Sequence, residues 1–149
     1  MRPVLIQIEP TTMMDDTLDP LIAEAEADGH RFLRRLRDGW ASGENRFDRP
    51  GELLLTARID GSLVGVGGLN VDPYAQTPGV ARLRHLYVAG HARRLGVGSA
   101  LVRHIVTAAR PHFAIVRLRT DSRDAAAFYA RLGFQPAAEP DATHVLPVG

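Results

Sequence analysis

The segment from Leu86 to Leu101 constrains the fold more than any other part of the sequence. An apolar strand-like run ends at Val88, and an apolar stripe at helical spacing follows from Val97 until Pro111 stops it. Between them lie Gly90, Gly96 and Gly98. Glycines at the mouth of a helix let the backbone approach a ligand, and the first-turn N–H groups point outward without intrahelical acceptors. We therefore predict a phosphate-binding turn between a strand and a helix.

Several phosphate-binding motifs do not fit this turn. A dinucleotide fingerprint needs glycine or alanine where Leu101 stands and an acidic residue about twenty residues later, but the first acid after the turn is Asp121. A P-loop needs a lysine, and all eighteen cationic side chains of this 149-residue chain are arginines. Cysteine is also absent, which excludes a thiolate nucleophile, a disulfide and a zinc–thiolate site.

The charge is distributed unevenly along the chain. The net charge is +1, yet residues 81 to 131 hold ten arginines against two acids and so carry +8. This excess indicates an anionic ligand, either a phosphorylated small molecule or a nucleic acid. Aromatic residues are not interleaved with these arginines and no reading helix is evident, so we do not expect a nucleic-acid partner. Arg93 and Arg94 flank the glycine turn, where guanidinium groups bind phosphate through paired donors.

The remaining pattern predicts one α/β or α+β domain over residues 1–149. A first strand covers Val4 to Ile8 and stops at Pro10, and two short helices follow before residue 43. Asp60-Gly61 joins two apolar runs as a hairpin. Further strands are predicted over 80–88 and 113–120, a helix ends at Gly133, and the tail supplies one or two edge strands.

Two sequence blocks resemble the GNAT superfamily of N-acetyltransferases. The first is Arg93-x-x-Gly96-x-Gly98 after a strand ending in Leu-Tyr-Val. The second is Leu118-x-Thr120 followed by Ser122-x-x-Ala125-x-x-Phe128-Tyr129-x-x-Leu132-Gly133-Phe134. The blocks occur in the family's order and spacing, and the resemblance covers nearly the whole chain from Val4. It is weakest in the helices before residue 50.

The resemblance implies a mixed, twisted central sheet flanked by helices. Its central parallel strands, 80–88 and 113–120, are expected to splay apart and hold acetyl-CoA as co-substrate. Strand backbone groups would bind the pantetheine arm and the glycine turn would bind the pyrophosphate. The coenzyme-binding residues implied are Leu86, Tyr87, Val88, Arg93, Arg94, Leu95, Gly96, Val97, Gly98, Ser99, Ser122 and Tyr129.

The resemblance also assigns chemical roles. Tyr129 matches the tyrosine that protonates the departing thiolate, and the pKa of a phenol lies close enough to that of a thiol for this role. Ser122 stands where the family often has asparagine, so its contact with the coenzyme is expected to differ.

The family often uses a carboxylate as base, but the chain has none between Asp72 and Asp121. His85 is then the candidate base on the central strand. Strand alternation places it on one face with Tyr87, and Arg84 with Leu86 on the other. Asp72, Glu44 and Glu52 acting through water are alternatives. No pattern indicates a metal site or a serine hydrolase.

These observations predict an N-acetyltransferase that moves acetyl from acetyl-CoA to a primary amine of a small molecule or peptide by direct transfer. A coenzyme A sensing module without turnover is the alternative. Tyr74 and Trp40 are candidates to line the acceptor pocket. A cytoplasmic location is expected without a membrane partner, and a homodimer is compatible with this interpretation.

Overall fold

The computed structural model describes residues 4–149, so the first three residues of the predicted domain lie outside the described part. Seven strands and four helices alternate with two short 3₁₀ turns. The strands are β1 (Gln7–Pro10), β2 (Leu53–Ile59), β3 (Ser62–Val71), β4 (Val80–Val88), β5 (Ile115–Leu118), β6 (Gln135–Glu139) and β7 (Ala142–Pro147). The helices are α1 (Asp19–Ala27), α2 (Phe32–Ser42), α3 (Val97–Ala109) and α4 (Arg123–Arg131).

All seven strands form one mixed sheet in the order β1-β2-β3-β4-β5-β7-β6. The predicted hairpin joins β2 and β3, and Asp60 and Gly61 both have positive φ, as a tight hairpin turn requires. The first strand begins only at Gln7 and includes Pro10. Proline is tolerated there because β1 lies at the edge of the sheet.

The predicted splay between the central strands is present. Strands β4 and β5 are parallel and pair only over Val80–Ile115, Ala81–Val116 and Arg82–Arg117. The remainder of β4, from Leu83 to Val88, extends beyond β5, which is shorter than predicted. The tail differs from the prediction in one respect: β7 lies inside the sheet between β5 and β6, and only β6 forms the edge.

The helices cover both faces of the sheet. The neighbours of three β3 glycines show which helix covers which face. A Cβ added at Gly65 or Gly67 would contact side chains of α3, namely Val97, Leu101 and Ile105, whereas a Cβ at Gly68 would contact Phe47, which follows α2. The predicted α3 stripe is buried, and the apolar residues of α1 and α2 join the same core. Because α1 and α2 cover one face and α3 the other, the splay between β4 and β5 remains open as a cleft.

Candidate active site

The site is an open cleft of about 1160 Å³ along the unpaired part of β4. One part, named the coenzyme end because it holds the predicted coenzyme-binding residues, is lined by Leu86, Tyr87, Val88, Arg93, Gly96–Ser99, Ser122 and Tyr129. The other, named the acceptor end because it holds the predicted acceptor-pocket residue Tyr74, is lined by His30, Phe32, Arg35, Tyr74, Arg82 and Arg84. His85 lies between them. Of the twelve predicted coenzyme-binding residues, only Leu95 does not line the cleft, and its side chain is exposed.

A β-bulge shapes the middle of β4. His85 and Leu86 together stand opposite Gly67, and His85 has a left-handed backbone with φ of 60°. A Cβ at position 67 would lie 3.1 Å from Leu86 and 3.2 Å from Ile105, so any larger residue there requires these side chains to shift. Because of the extra residue, Arg84 pairs with Gly68 and Tyr87 pairs with Val66. Positions 66 and 68 are two apart on β3 and therefore point to the same face of the sheet. The predicted alternation is therefore wrong for Arg84, which lies on the same face as Tyr87.

The predicted phosphate-binding turn forms the N-terminus of α3. Gly96 is the N-cap with φ of 87°, and no heavy atom lies within 4 Å of a substituent there. The backbone at Gly96 therefore approaches open space. The amides of Val97, Gly98 and Ser99 have no acceptor within the helix, and no side chain caps them. These three N–H groups and the helix dipole make an anion-binding position in the cleft.

Arg93 turns toward α1 rather than toward the helix N-terminus. Its Nη2 donates to Asp28 Oδ2 at 3.4 Å and to Tyr87 Oη at 3.3 Å. Its Nε donates to the carbonyl oxygen of Val88 at 3.1 Å. The guanidinium also lies 5.5 Å from the centre of the Tyr87 ring. Arg93 thus braces the loop against α1, with half of its side chain exposed.

Glu24 and Asp28 of α1 were not identified from the sequence. The Tyr87 hydroxyl donates to Glu24 Oε2 at 2.6 Å and lies 3.0 Å from Asp28 Oδ2. The pKa of Tyr87 is raised, mainly by burial and to a smaller extent by the two nearby carboxylates. Glu24 also accepts from the Gly90 amide at 3.1 Å. The two acids are four residues apart on one helix face, but no local signal shows that this face meets β4.

Tyr129 lies on α4 with its ring almost fully buried. It packs edge-on against Phe128 and Phe134, with ring centres 5.1 and 5.5 Å away, and it lines the cleft. Burial raises its pKa above the usual value. The phenol therefore keeps its proton at neutral pH and is available as a donor. Ser122, at the start of the same helix, accepts from the Ala125 amide at 3.2 Å and so acts as an N-cap.

His85 lies against Phe47 and Phe32, with ring centres 5.9 and 6.5 Å away. Its Nδ1 is buried and has no hydrogen-bond partner within residues 4–149. Burial and the charges of Arg84 and Arg35 lower its pKa to about 3. The imidazole is therefore neutral at pH 7, able to accept a hydrogen bond but a weak base.

The alternative bases differ in how far they are engaged elsewhere. Asp72 is fully buried, accepts from Arg117 Nε at 2.8 Å and from the Tyr74 amide at 2.8 Å, and lies 3.5 Å from Arg82 Nη1. Burial opposes its ionisation, but these hydrogen bonds and the arginine charges outweigh burial and lower its pKa. Asp72 therefore connects β3, β4 and β5 and has no free position for an incoming amine.

Glu52 is engaged in the same way, because it accepts from the Arg49 and Val71 amides at 3.0 and 2.8 Å. Glu44 is exposed on the loop after α2. Trp40 is half-buried against the core and does not line the cleft, whereas Tyr74 does. Of the three carboxylate alternatives, Glu44 is the one whose carboxylate accepts no hydrogen bond from residues 4–149.

No group of three histidine, aspartate or glutamate side chains between Val4 and Gly149 could hold a metal ion. Among the helices of this same part of the chain, none has the length and apolar character needed to cross a membrane.

The sequence matches the profile of the acetyltransferase (GNAT) family over residues 13–134. This match covers most of the chain, which therefore belongs to the GNAT family and is an acetyltransferase by membership, with acyl transfer from acetyl-CoA as its implied chemistry. No curated protein matches the sequence at a significant level.

Solved structures agree with this family. A protein from Exiguobacterium sp. 255-15, provisionally assigned as an acetyltransferase, is 26% identical with a TM-score of 0.86; the match covers 95% of this chain and 93% of that one. A GNAT-family acetyltransferase from Staphylococcus aureus Mu50 is 16% identical with a TM-score of 0.71, covering 97% and 100% of the two chains. N-acetylglutamate synthase from Neisseria gonorrhoeae, complexed with coenzyme A and N-acetylglutamate, is 19% identical with a TM-score of 0.70, covering 97% of this chain and 35% of that one. The last two likenesses concern the fold alone.

Proposed function

We propose that the protein transfers the acetyl group of acetyl-CoA directly to a primary amine of a small molecule or peptide within a ternary complex. The observation that carries this proposal is the continuity of one cleft. It joins the free edge of β4, the uncapped N-terminus of α3 and the Tyr129 ring. An anionic, extended thioester and a donor for its sulfur both fit this arrangement.

The binding roles follow from the groups along the cleft. The amides of Val97, Gly98 and Ser99 are suited to the pyrophosphate, because they point outward at the positive end of a helix dipole. The edge of β4 beyond its pairing with β5 offers backbone groups to an extended arm. When both substrates are bound in one cleft, the amine is held next to the thioester and the reaction becomes effectively unimolecular.

The bond changes require one proton donor and one proton acceptor. The amine nitrogen attacks the thioester carbonyl carbon, the carbon–sulfur bond breaks, and the thiolate takes a proton from Tyr129. The attacking nitrogen releases its surplus proton to water in the open cleft, and Tyr129 regains a proton from solvent before the next turnover. We assign His85 to orienting the amine, because its lowered pKa makes it a poor base.

A coenzyme A sensing module is the second candidate function. Asp72 and Glu52 both accept hydrogen bonds from neighbouring parts of the fold. Because neither carboxylate is then available as a base, the sensing function is favoured over catalysis on this point. The two functions differ in turnover and agree in coenzyme binding. Three other predictions stay open in either case: a single domain over residues 1–149, a cytoplasmic location and a homodimer.

Thiol release from acetyl-CoA against a panel of amines separates the two functions. For the wild type we expect turnover of at least one amine, and for Tyr129→Phe a kcat lower by about a hundredfold or more. The phenylalanine keeps the ring packing, so coenzyme binding and thermal stability should match the wild type. Tight coenzyme binding without turnover of any amine would establish the sensing function instead.

A further inference from the structure

We propose that the acceptor carries an anionic group, a carboxylate or a phosphate ester, near the amine that is acetylated, and that Arg84 and Arg35 bind this group. This inference rests on the proposed function, because it names the class of acceptor for the same cleft. The arginine pair consists of Arg35 of α2 and Arg84 of β4, which both line the cleft and whose charges both act on His85.

The position of Arg84 is the first argument. The bulge at His85 places Arg84 on the sheet face that α1 and α2 cover, where it lines the cleft and is partly buried. Seven arginine–carboxylate ion pairs are present within residues 4–149, and none of them includes Arg84. A partly buried cation without a counter-ion is costly and gains from an anionic ligand.

The surroundings of Arg84 strengthen this argument. Arg82, two residues earlier on the same strand, is held by Asp72 and lies 4.9 Å from the centre of the Tyr74 ring. Burial, together with the charge of Arg82, lowers the pKa of Arg84, while Tyr74, Asp72 and Glu44 act in the opposite direction. Arg82 already has its carboxylate and its aromatic contact, so Arg84 is the cation of this strand that is left for a ligand.

Arg35 provides a second cation at the same place. It lines the cleft from α2, has no ion-pair partner among residues 4–149, and its charge acts on the His85 imidazole together with that of Arg84. Two guanidinium groups that line one cleft can bind the same carboxylate or phosphate through paired donors. His85 is the strand neighbour of Arg84 and lines the same cleft, which places the anion site next to the residue assigned to orient the amine.

The coenzyme's own phosphates do not account for this pair. Arg84 precedes Val88 by four residues, roughly 13 Å along an extended strand, and the α3 N-terminus lies beyond that end of β4. The phosphate groups of the coenzyme are served by the free amides of α3, with Arg94 beside them. The arginine pair therefore lies at the opposite end of the cleft.

The test compares acceptors that differ only in the anion. Turnover is measured with α-amino acids against their carboxamides and with phosphoethanolamine against ethanolamine. Binding of the same four classes to the protein saturated with coenzyme A is measured by calorimetry. We expect the acids to bind at least tenfold more tightly than their neutral analogues, and the carboxylate and phosphate arms identify which anion is preferred. Carboxamides have less basic amines, so deprotonation alone would favour the opposite result.

The variants Arg84→Gln and Arg35→Gln should each reduce this preference by about tenfold to a hundredfold, with little change for the neutral analogues. Arg103→Gln, an equal charge change on the exposed face of α3, should leave it unchanged. Equal binding of acids and neutral analogues, or a preference that survives both substitutions, would overturn the inference. Preferential binding of acids without turnover would support the arginine pair while refuting the transferase function.

Discussion

Nε of Arg93 donates a hydrogen bond to the carbonyl oxygen of Val88 at 3.1 Å, at the strand edge proposed to hold the pantetheine arm. Arg93, one of the two arginines that flank the glycine turn, thus contacts the strand, the Tyr87 hydroxyl and the end of α1 at once. Coenzyme binding and the position of α1 are connected through this side chain.

The first prediction concerns Arg93 itself. If its guanidinium turns to the phosphates when the coenzyme binds, Arg93→Ala will lower the affinity for coenzyme A by about tenfold. Pantetheine, which lacks phosphates, should bind the variant as well as it binds the wild type. Inhibition constants of both compounds against acetyl-CoA measure this, with Arg103→Ala as a control. An equal loss for both compounds would mean that Arg93 only braces the loop.

A second prediction concerns the turn before α3. Gly96→Glu should weaken acetyl-CoA binding by at least about tenfold, because it adds a negative charge beside the amides of Val97 to Ser99. Gly61→Glu is a matched control. Gly61 also has a positive φ, of 80°, and open space around it, so the backbone strain is similar but the site is distant. Affinities from isothermal titration that fall equally in both variants would contradict the phosphate-binding role.

A third prediction concerns stability. Asp72→Asn keeps the shape of the side chain but leaves Arg82 and Arg117, both about nine-tenths buried, without their shared carboxylate. We expect the free energy of unfolding to fall by about 3–5 kcal/mol, as for other broken buried ion pairs. Glu26→Gln removes the exposed pair with Arg34 and should have little measurable effect. Urea unfolding of the three proteins tests this, and equal midpoints would show that Asp72 has no such structural role.

The fourth prediction concerns pH and His85. The pKa of the His85 imidazole is about 3 in the folded protein, compared with 6.5 for an ordinary histidine such as that of the unfolded chain. Between pH 6.5 and pH 3 the unfolded chain therefore binds one proton more at this position than the folded protein does. Wild-type stability should therefore fall as the pH decreases through this window. His85→Asn, which tolerates the left-handed backbone, should be less stable at pH 7 but lose less between pH 7 and pH 4. Urea midpoints at both pH values measure the difference, and parallel losses would contradict it.

The glycine turn before α3, the hairpin at Asp60-Gly61 and the buried stripe of α3 were determined by the sequence alone. Each depends on residues close together in the chain, where periodicity and the backbone freedom of glycine act locally. The family resemblance rests on the same local blocks, Arg93 to Gly98 and Leu118 to Phe134. The family match over residues 13–134 confirms it.

Only the tertiary structure decided which charged groups meet in and around the cleft. The bulge at His85 moves Arg84 to the face of Tyr87, which alternation along a regular strand does not predict. Tyr87 meets Glu24 across 63 residues, and Arg117 meets Asp72 across 45. Such pairings depend on how helices and strands pack, because a charged side chain gains its partner only when burial brings distant segments together. Sequence therefore determined the local backbone of the glycine turn, and packing determined which charged side chains surround it and the rest of the cleft.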